Sequence, residues 1–146
     1  TEMRRLMPRM LASDGGAWVQ QLSEAEKTSL DSLCKVVLGA GLEAVASLKP
    51  AALHHTLALV MSRSVLNDTL SHFSGAGIDF GLVQLAKAAK KDVVPLETLE
   101  QQFALLYNTT LDSQLTDLRK SLTQTDSAQD LAARLLHSYL HQDLND

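Results

Sequence analysis

The sequence predicts a mainly α protein, an amphipathic helical bundle with at most one or two short strands. Two segments, Ser23–Glu26 and Thr98–Gln101, carry capping-box signatures, in which a hydroxyl and a side chain three residues later satisfy the free amides that begin a helix. Leucines recur at three- and four-residue spacing along most of the chain, as they do on the buried face of a helix. Only Val93–Leu96 has the composition of a strand.

Length and composition favour one ordinary globular domain. A chain of 146 residues, of which 45% are hydrophobic and 21% charged, can bury a self-sufficient core. The formal net charge of -4 is spread along the chain and gives no electrostatic reason to expect nucleic acid as a partner. No apolar run approaches the roughly 18 residues that a membrane span needs. Cys34 is the only cysteine, so no intrachain disulfide can form.

Helices dominate the prediction from about residue 20 to residue 75. The helix that follows the first capping box ends at Gly39, because glycine adopts the left-handed conformation of a helix end. A short helix then stops before Pro50, since proline disfavours the helical conformation in the residue that precedes it. Ala51–Phe73 contains neither glycine nor proline, which predicts one long helix with a possible break at Ser62–Ser64.

A helix–strand–helix unit is predicted over residues 79–106. Asp79 caps the first helix, which runs to about Lys90. Val93–Leu96 is placed at a sheet edge, because Pro95 removes one backbone donor from the ladder. This order of elements is half of a parallel α/β pattern, and one strand cannot make a sheet.

The C-terminal region, residues 110–142, is predicted to hold two amphipathic helices arranged as a hairpin. Leu111, Leu115, Leu118 and Leu122 mark the first of these helices. Thr125 or Asp126 caps the second.

The histidines and the cysteine offer little chemistry by spacing alone. His137 and His141 lie four residues apart on one helix face, but no further metal ligand accompanies them, so we interpret them as surface histidines. His54 and His55 are adjacent on a helix and point about 100° apart, which prevents joint chelation from that element. Cys34 lies on an apolar stripe and is interpreted as a core residue.

Glu97 is the candidate site residue. It stands at the carboxyl end of the predicted strand and the start of a helix, where open α/β sheets gather their ligands. The alternative is structural, because a carboxylate at that position also complements the positive end of a helix dipole. The sequence leaves both interpretations open.

The stretch from Gly77 to Gln101 resembles the TraB/PrgY/GumN family. The similar residues are Gly77-Ile78-Asp79, the helix that ends in Lys90-Lys91, and Val93-Val94-Pro95-Leu96-Glu97-Thr98. Asp79, Glu97 and Gln101 match positions of the family motif, and of these only Glu97 is a plausible catalytic contributor. Pro95 stands where glycine is common in the family.

The resemblance implies an α/β core with a large helical insertion, here residues 20–75, in a group related to metal-dependent proteases. Its divalent-metal ligands are expected in a G-T-x-H and a G-x-x-H segment, and neither motif occurs here. The resemblance therefore implies a fragment of a larger α/β fold, inactive alone and without a cofactor of its own. It also implies an exported, periplasmic origin.

Two function classes follow. The first is the helical portion of a metal-dependent hydrolase or peptidase, and the alternative is a helical module that binds a protein or peptide without catalysis. Self-association is expected through exposed apolar faces or through the edge of the 93–96 strand, because an unpaired strand edge can pair with another chain.

Overall fold

The mainly α prediction is confirmed over the part of the chain that the computed structural model describes, which is residues 2–70, 78–123, 134, 137 and 138. Those residues form seven helices and no strand. The helices are α1 (Glu2–Leu6), α2 (Glu24–Leu38), α3 (Leu42–Val45), α4 (Pro50–Leu70), α5 (Ile78–Ala88), α6 (Leu99–Tyr107) and α7 (Leu111–Thr123). Two short 3₁₀ helices, Met7–Met10 and Ala17–Gln21, lie between α1 and α2.

Both predicted capping boxes are confirmed. The Glu26 amide donates to the Ser23 hydroxyl at 3.2 Å, and the Ser23 amide donates to the Glu26 carboxylate at 2.7 Å. The same exchange starts α6, where the Gln101 amide donates to Thr98 Oγ1 at 3.1 Å and the Thr98 amide donates to Gln101 Oε1 at 2.7 Å. These reciprocal bonds fix the first residues of α2 and α6.

The main core lies where α2, α4 and α7 meet. Leu53 and Leu57 of α4 are fully buried, and they face the leucine stripe of α7 that the sequence predicted. Removing such side chains from water is the main stabilising term of a small domain. The buried members of this cluster are Trp18, Leu22, Leu30, Cys34, Leu42, Leu53, Leu57, Leu115 and Leu118.

A smaller cluster joins α1 and α6 to the first turn of α4. Leu6 of α1 contacts Ala51 and Ala52 of α4, whose small side chains allow close approach. Phe103 and Tyr107 of α6 complete the cluster, with their ring centroids 5.3 Å apart and edge to face. The edge-to-face arrangement is the one that aromatic quadrupoles favour.

Trp18 ties the N-terminal segment to the chain just before α4. Its indole Nε1–H lies 2.9 Å from the carbonyl oxygens of both Ala46 and Leu48 and donates to them. Beside it, Leu11 and Leu48 form an isolated antiparallel bridge. The N-terminal segment, which contains no strand, is thus held by backbone hydrogen bonds and by the buried indole of Trp18.

The predicted strand at Val93–Leu96 is wrong. These residues have no regular secondary structure, Leu96 lies in a bend, and no strand exists among the described residues to pair with them. Val94 is 79% exposed and Leu96 is 104% exposed, so these two apolar side chains lie outside the core. Pro95 also lacks the amide that a ladder would use.

The boundaries of α5 differ from the prediction. The helix begins at Ile78, so Asp79 lies in its first turn rather than at the cap. It ends at Ala88, and Lys90 adopts a left-handed φ of 52° while the Lys91 amide donates to the Ala86 carbonyl at 2.8 Å. This pattern closes a helix end in the way glycine usually does.

The predicted break in the long helix does not occur, because α4 is continuous from Pro50 to Leu70. Ser62 donates its hydroxyl to the Ala58 carbonyl at 2.7 Å, which satisfies the side chain within the helix. None of the described helices combines the length and the apolarity that crossing a bilayer demands. The predicted last helix, which begins at Thr125 or Asp126, lies outside the described residues apart from three isolated helical positions.

A side chain at Gly16 would collide with the segment that Trp18 holds. Gly16 has a φ of 103°, and a Cβ built on it would lie 2.7 Å from the Ala46 carbonyl oxygen. Gly15 has a φ of 65° and nothing within 4 Å of the corresponding position. The two neighbours thus share a left-handed backbone but differ in their surroundings.

Gly16→Ala is expected to destabilise the protein by at least about 2 kcal/mol more than Gly15→Ala, which should cost about 1 kcal/mol for the left-handed backbone alone. The free energy of unfolding, measured by urea denaturation with circular dichroism, checks the difference. Equal losses for the two variants would contradict the close approach of Gly16 to Ala46.

An ion pair connects α7 to the start of α2. Arg119 Nε donates to Glu26 Oε1 at 2.7 Å, and its Nη2 donates to the Gln21 carbonyl at 3.1 Å. The hydrogen bond from Arg119 and then the bond from the Ser23 amide lower the pKa of Glu26 from 4.5 to about 2. The Glu26 carboxylate therefore stays charged in the folded state well below its ordinary range.

Arg119→Met is expected to lower the free energy of unfolding at neutral pH by about 1 kcal/mol, because the pair is partly exposed. A carboxyl group whose pKa is lower in the folded state than in the unfolded state stabilises the fold at pH values above its unfolded pKa. This stabilisation is lost as the pH falls through the folded pKa. The difference in the free energy of unfolding between the wild type and the variant should therefore become smaller as the pH falls from 4.5 towards about 2. Denaturation across that range tests this.

Lys120→Met is the matched control, since Lys120 pairs with Asp117 within the same helix. It should cost less than about 0.5 kcal/mol. A gap for Arg119→Met that stays constant down to the lowest pH would show that Glu26 does not carry the effect.

Candidate functional site

Glu97 lies immediately before the cap of α6 and is exposed to solvent. Gln102 Nε2 donates to Glu97 Oε1 at 2.7 Å, so the amide of the second helical turn reaches back over the helix start. Within the described part of the chain no other side chain bonds this carboxylate. Glu97 is thus oriented through one oxygen and open through the other.

Gln101 and Gln102 have different roles. Gln101, the residue that sequence comparison singled out, is committed to the capping box with Thr98. Gln102 is the residue that holds Glu97, and the sequence analysis missed it. The sequence does contain a signal for this role, because two glutamines are adjacent and only one of them can close the capping box.

Glu100 anchors the same helix start to α1. Its carboxylate accepts from Arg5 Nη2 at 3.1 Å and from Arg9 Nη2 in a second, shorter contact. The hydrogen bonds from Arg5 and then Arg9 hold the pKa of Glu100 below its ordinary value. Glu100 therefore has a structural role, whereas Glu97 forms no ion pair within the described part of the chain.

His54 forms a second polar cluster, at the α4–α7 interface. Its Nδ1 lies 2.6 Å from Ser121 Oγ, and its ring centroid lies 5.2 Å from that of His55 in an edge-to-face contact. Burial and then the neighbouring His55 lower the pKa of His54. The two rings are in contact even though adjacent residues of a helix point about 100° apart, and they do not stack face to face.

The described residues do not form a complete metal-binding set. Nowhere in residues 2–70 and 78–123, or at the three isolated positions, do three of His, Cys, Asp and Glu converge on one point. His72 and His141 lie outside the described residues, so the arrangement of His137 and His141 stays a prediction. The described residues therefore do not fit the divalent metal that the family resemblance implies.

Cys34 is confirmed as a core residue. Its side chain is fully buried between α2 and its neighbours. Burial, followed by the charge of Asp31, raises the pKa of the Cys34 thiol to about 11. A thiol in that state supplies almost no thiolate near neutral pH, which excludes it as a nucleophile in this fold.

The model of the TraB/PrgY/gumN family matches residues 1–146. No curated protein and no solved structure matches the chain.

Proposed function

The chain belongs to the TraB/PrgY/gumN family, and on that basis we propose that it is the helical portion of a metal-dependent hydrolase that cleaves peptides. Family membership over residues 1–146 is the observation that carries the proposal. The proposal places the metal ligands in the family's G-T-x-H and G-x-x-H segments, which this sequence does not contain. On its own the chain is expected to be inactive.

Glu97 is the residue that we assign to the reaction. Glu97 is an exposed residue whose Oε2 makes no hydrogen bond within the described part of the chain, while Gln102 donates to its Oε1. A carboxylate held in this way can accept a proton from an attacking water, the step that general-base catalysis of peptide hydrolysis requires. Gln102 acts as a positioning residue, because its side-chain amide bonds the Glu97 carboxylate.

Glu97→Gln, made in the complete reading frame that contains this chain, is expected to lower kcat/KM for peptide hydrolysis by about 100-fold or more. Glutamine keeps an oxygen that can accept from Gln102 but loses the capacity to take up a proton. The readout is the cleavage rate of an unstructured peptide, measured together with the metal content of the purified protein.

Glu43→Gln is the matched control. Glu43 is an exposed carboxylate in the first turn of α3, on another part of the molecule. Its replacement should leave both activity and metal content unchanged. Full activity of the Glu97→Gln protein would remove Glu97 from the reaction, and stable metal binding with turnover by the 146-residue chain alone would overturn the proposal as a whole.

A second candidate function, a helical interaction module, is favoured by the exposed apolar side of α5. Leu82 is 58% exposed and Leu85 is 67% exposed, and both lie on one face of the helix. Isolated apolar residues on a surface are ordinary, but a continuous stripe usually contacts a partner. The partner we propose is a second copy of the chain.

Charge supports a second copy. Asp79 lies in the first turn of α5, and Lys90, just beyond the other end of the helix, carries the opposite charge. An antiparallel two-fold pairing would place each Asp79 beside Lys90 of the other copy and would bring the two Leu85 side chains together at the centre. A two-fold interface requires this kind of self-complementarity.

Leu85→Glu is expected to abolish this self-association, because it would place two carboxylates at the centre of an apolar interface. Phe80→Glu is the matched control, since Phe80 is 56% exposed on the opposite side of α5. Sedimentation velocity over a range of protein concentrations distinguishes the two. A wild-type protein that stays monomeric throughout, or equal effects of the two substitutions, would reject the α5 interface.

A further inference from the structure

A cavity of about 360 Å³ lies at the end of α6 opposite to Glu97. It is open to solvent on one side and is lined by the chain before α2, the first turn of α4, the C-terminus of α6 and the N-terminus of α7. Its volume is in the range of small-molecule sites, which begins at about 300 Å³. The residues that matter for its chemistry are Asp14, Trp18, Lys49, Tyr107, Asn108 and Gln114.

Opposite charges line this cavity without pairing with each other. Lys49 Nζ donates to the Tyr107 carbonyl at 3.0 Å, which leaves two of its three donors unused. Asp14 Oδ1 accepts from the Gly16 amide at 3.0 Å. Neither side chain forms an ion pair within the described part of the chain, although both line one cavity of modest size.

Three residues of the cavity wall are held in place by burial and by hydrogen bonds or packing. Gln114 is only 6% exposed, and its side chain accepts from the Ala51 amide at 3.3 Å and donates to the Thr109 carbonyl at 2.7 Å. Trp18 is held by its two carbonyl acceptors, and Tyr107 is packed in the smaller core cluster. These three buried side chains lose little conformational entropy when a ligand enters, whereas Asp14 lies on the exposed side of the cavity.

We propose that this cavity binds a small zwitterion of amino-acid or dipeptide size, whose carboxylate pairs with Lys49 and whose ammonium group pairs with Asp14. Charge-assisted hydrogen bonds of this kind are stronger than neutral ones and require both partners to be correctly placed. Asn108, whose side-chain amide makes no hydrogen bond within the described residues, lies at the rim and can bond the ligand's polar backbone. The site is independent of the proposed hydrolase function, because Glu97 lies roughly 15 Å away along α6.

A purely structural role for the two charges makes a different prediction. If Lys49 serves only to satisfy the C-terminal carbonyl of α6, ligands with and without a carboxylate should bind equally, or not at all. If Asp14 serves only to fix the turn at Gly16, neutralising it should not alter any binding. Ligand charge is therefore the variable that separates the two interpretations.

The test is a titration of the 146-residue chain with alanyl-alanine, followed by two-dimensional amide NMR. Parallel titrations use N-acetyl-alanyl-alanine, which lacks the ammonium group, and alanyl-alanine amide, which lacks the carboxylate. We expect the free dipeptide to shift the amide signals of Lys49, Asn108 and Gln114. Each blocked form should bind about tenfold more weakly or worse.

Asp14→Asn is the decisive variant, because asparagine keeps an oxygen that can accept the Gly16 amide, so the turn should remain. This substitution should weaken binding of the free dipeptide by about tenfold and leave binding of the N-acetylated form unchanged. Lys49→Met should show the converse preference, but it also removes the bond to Tyr107. Asp112→Asn is the control, since Asp112 carries the same charge nearby and does not line the cavity.

Equal binding of the free and blocked dipeptides would overturn the proposal, as would an Asp14→Asn protein that binds the free dipeptide with wild-type affinity. The absence of any shift at tens of millimolar dipeptide would overturn it as well. None of these outcomes bears on Glu97, so the cavity and the hydrolase function fail or succeed separately.

Discussion

The hydrogen bonds that the Trp18 indole donates to Ala46 and Leu48 are the constraint on which the rest of the architecture depends. They hold the segment before α2 against the segment before α4 and set where the long helix enters the core. The same indole belongs to the main core cluster, so one side chain is buried in the core and also has its N–H hydrogen-bonded. Two carbonyls that no helix or sheet uses are thereby paired, and an unpaired buried carbonyl would be costly.

Different contacts hold the two ends of α6. Arg5 and Arg9 bind Glu100, and this contact attaches the N-terminal end of α6 to α1. Lys49, from the segment that Trp18 fixes, binds the carbonyl at the C-terminal end. An exposed carboxylate thus lies beside the N-terminal end of α6 and a charged cavity at its C-terminal end, and each helix end is held by contacts that are distant in sequence.

The sequence predicted what depends on neighbours along the chain. Capping boxes need only a three-residue spacing, and the leucine stripe of α7 needs only helical periodicity, so both were found. The strand at Val93–Leu96 failed because composition cannot say whether a pairing partner exists. The bond between Gln102 and Glu97 was missed although it is local, since two adjacent glutamines competed for one role. The pairs of Arg5 and Arg9 with Glu100 join residues more than 90 positions apart, and no local pattern encodes such contacts.

The sealed position of Cys34 has a practical consequence for the study of this chain. Its thiol is buried and stays protonated near neutral pH, so a maleimide or spin-label reagent should leave it untouched in the native protein. A cysteine introduced on the surface would then be the one site that a probe modifies, without removal of the natural thiol. The exposed positions of α5 and the rim of the charged cavity can each carry such a label, which makes distances between molecules and motions at the rim directly measurable.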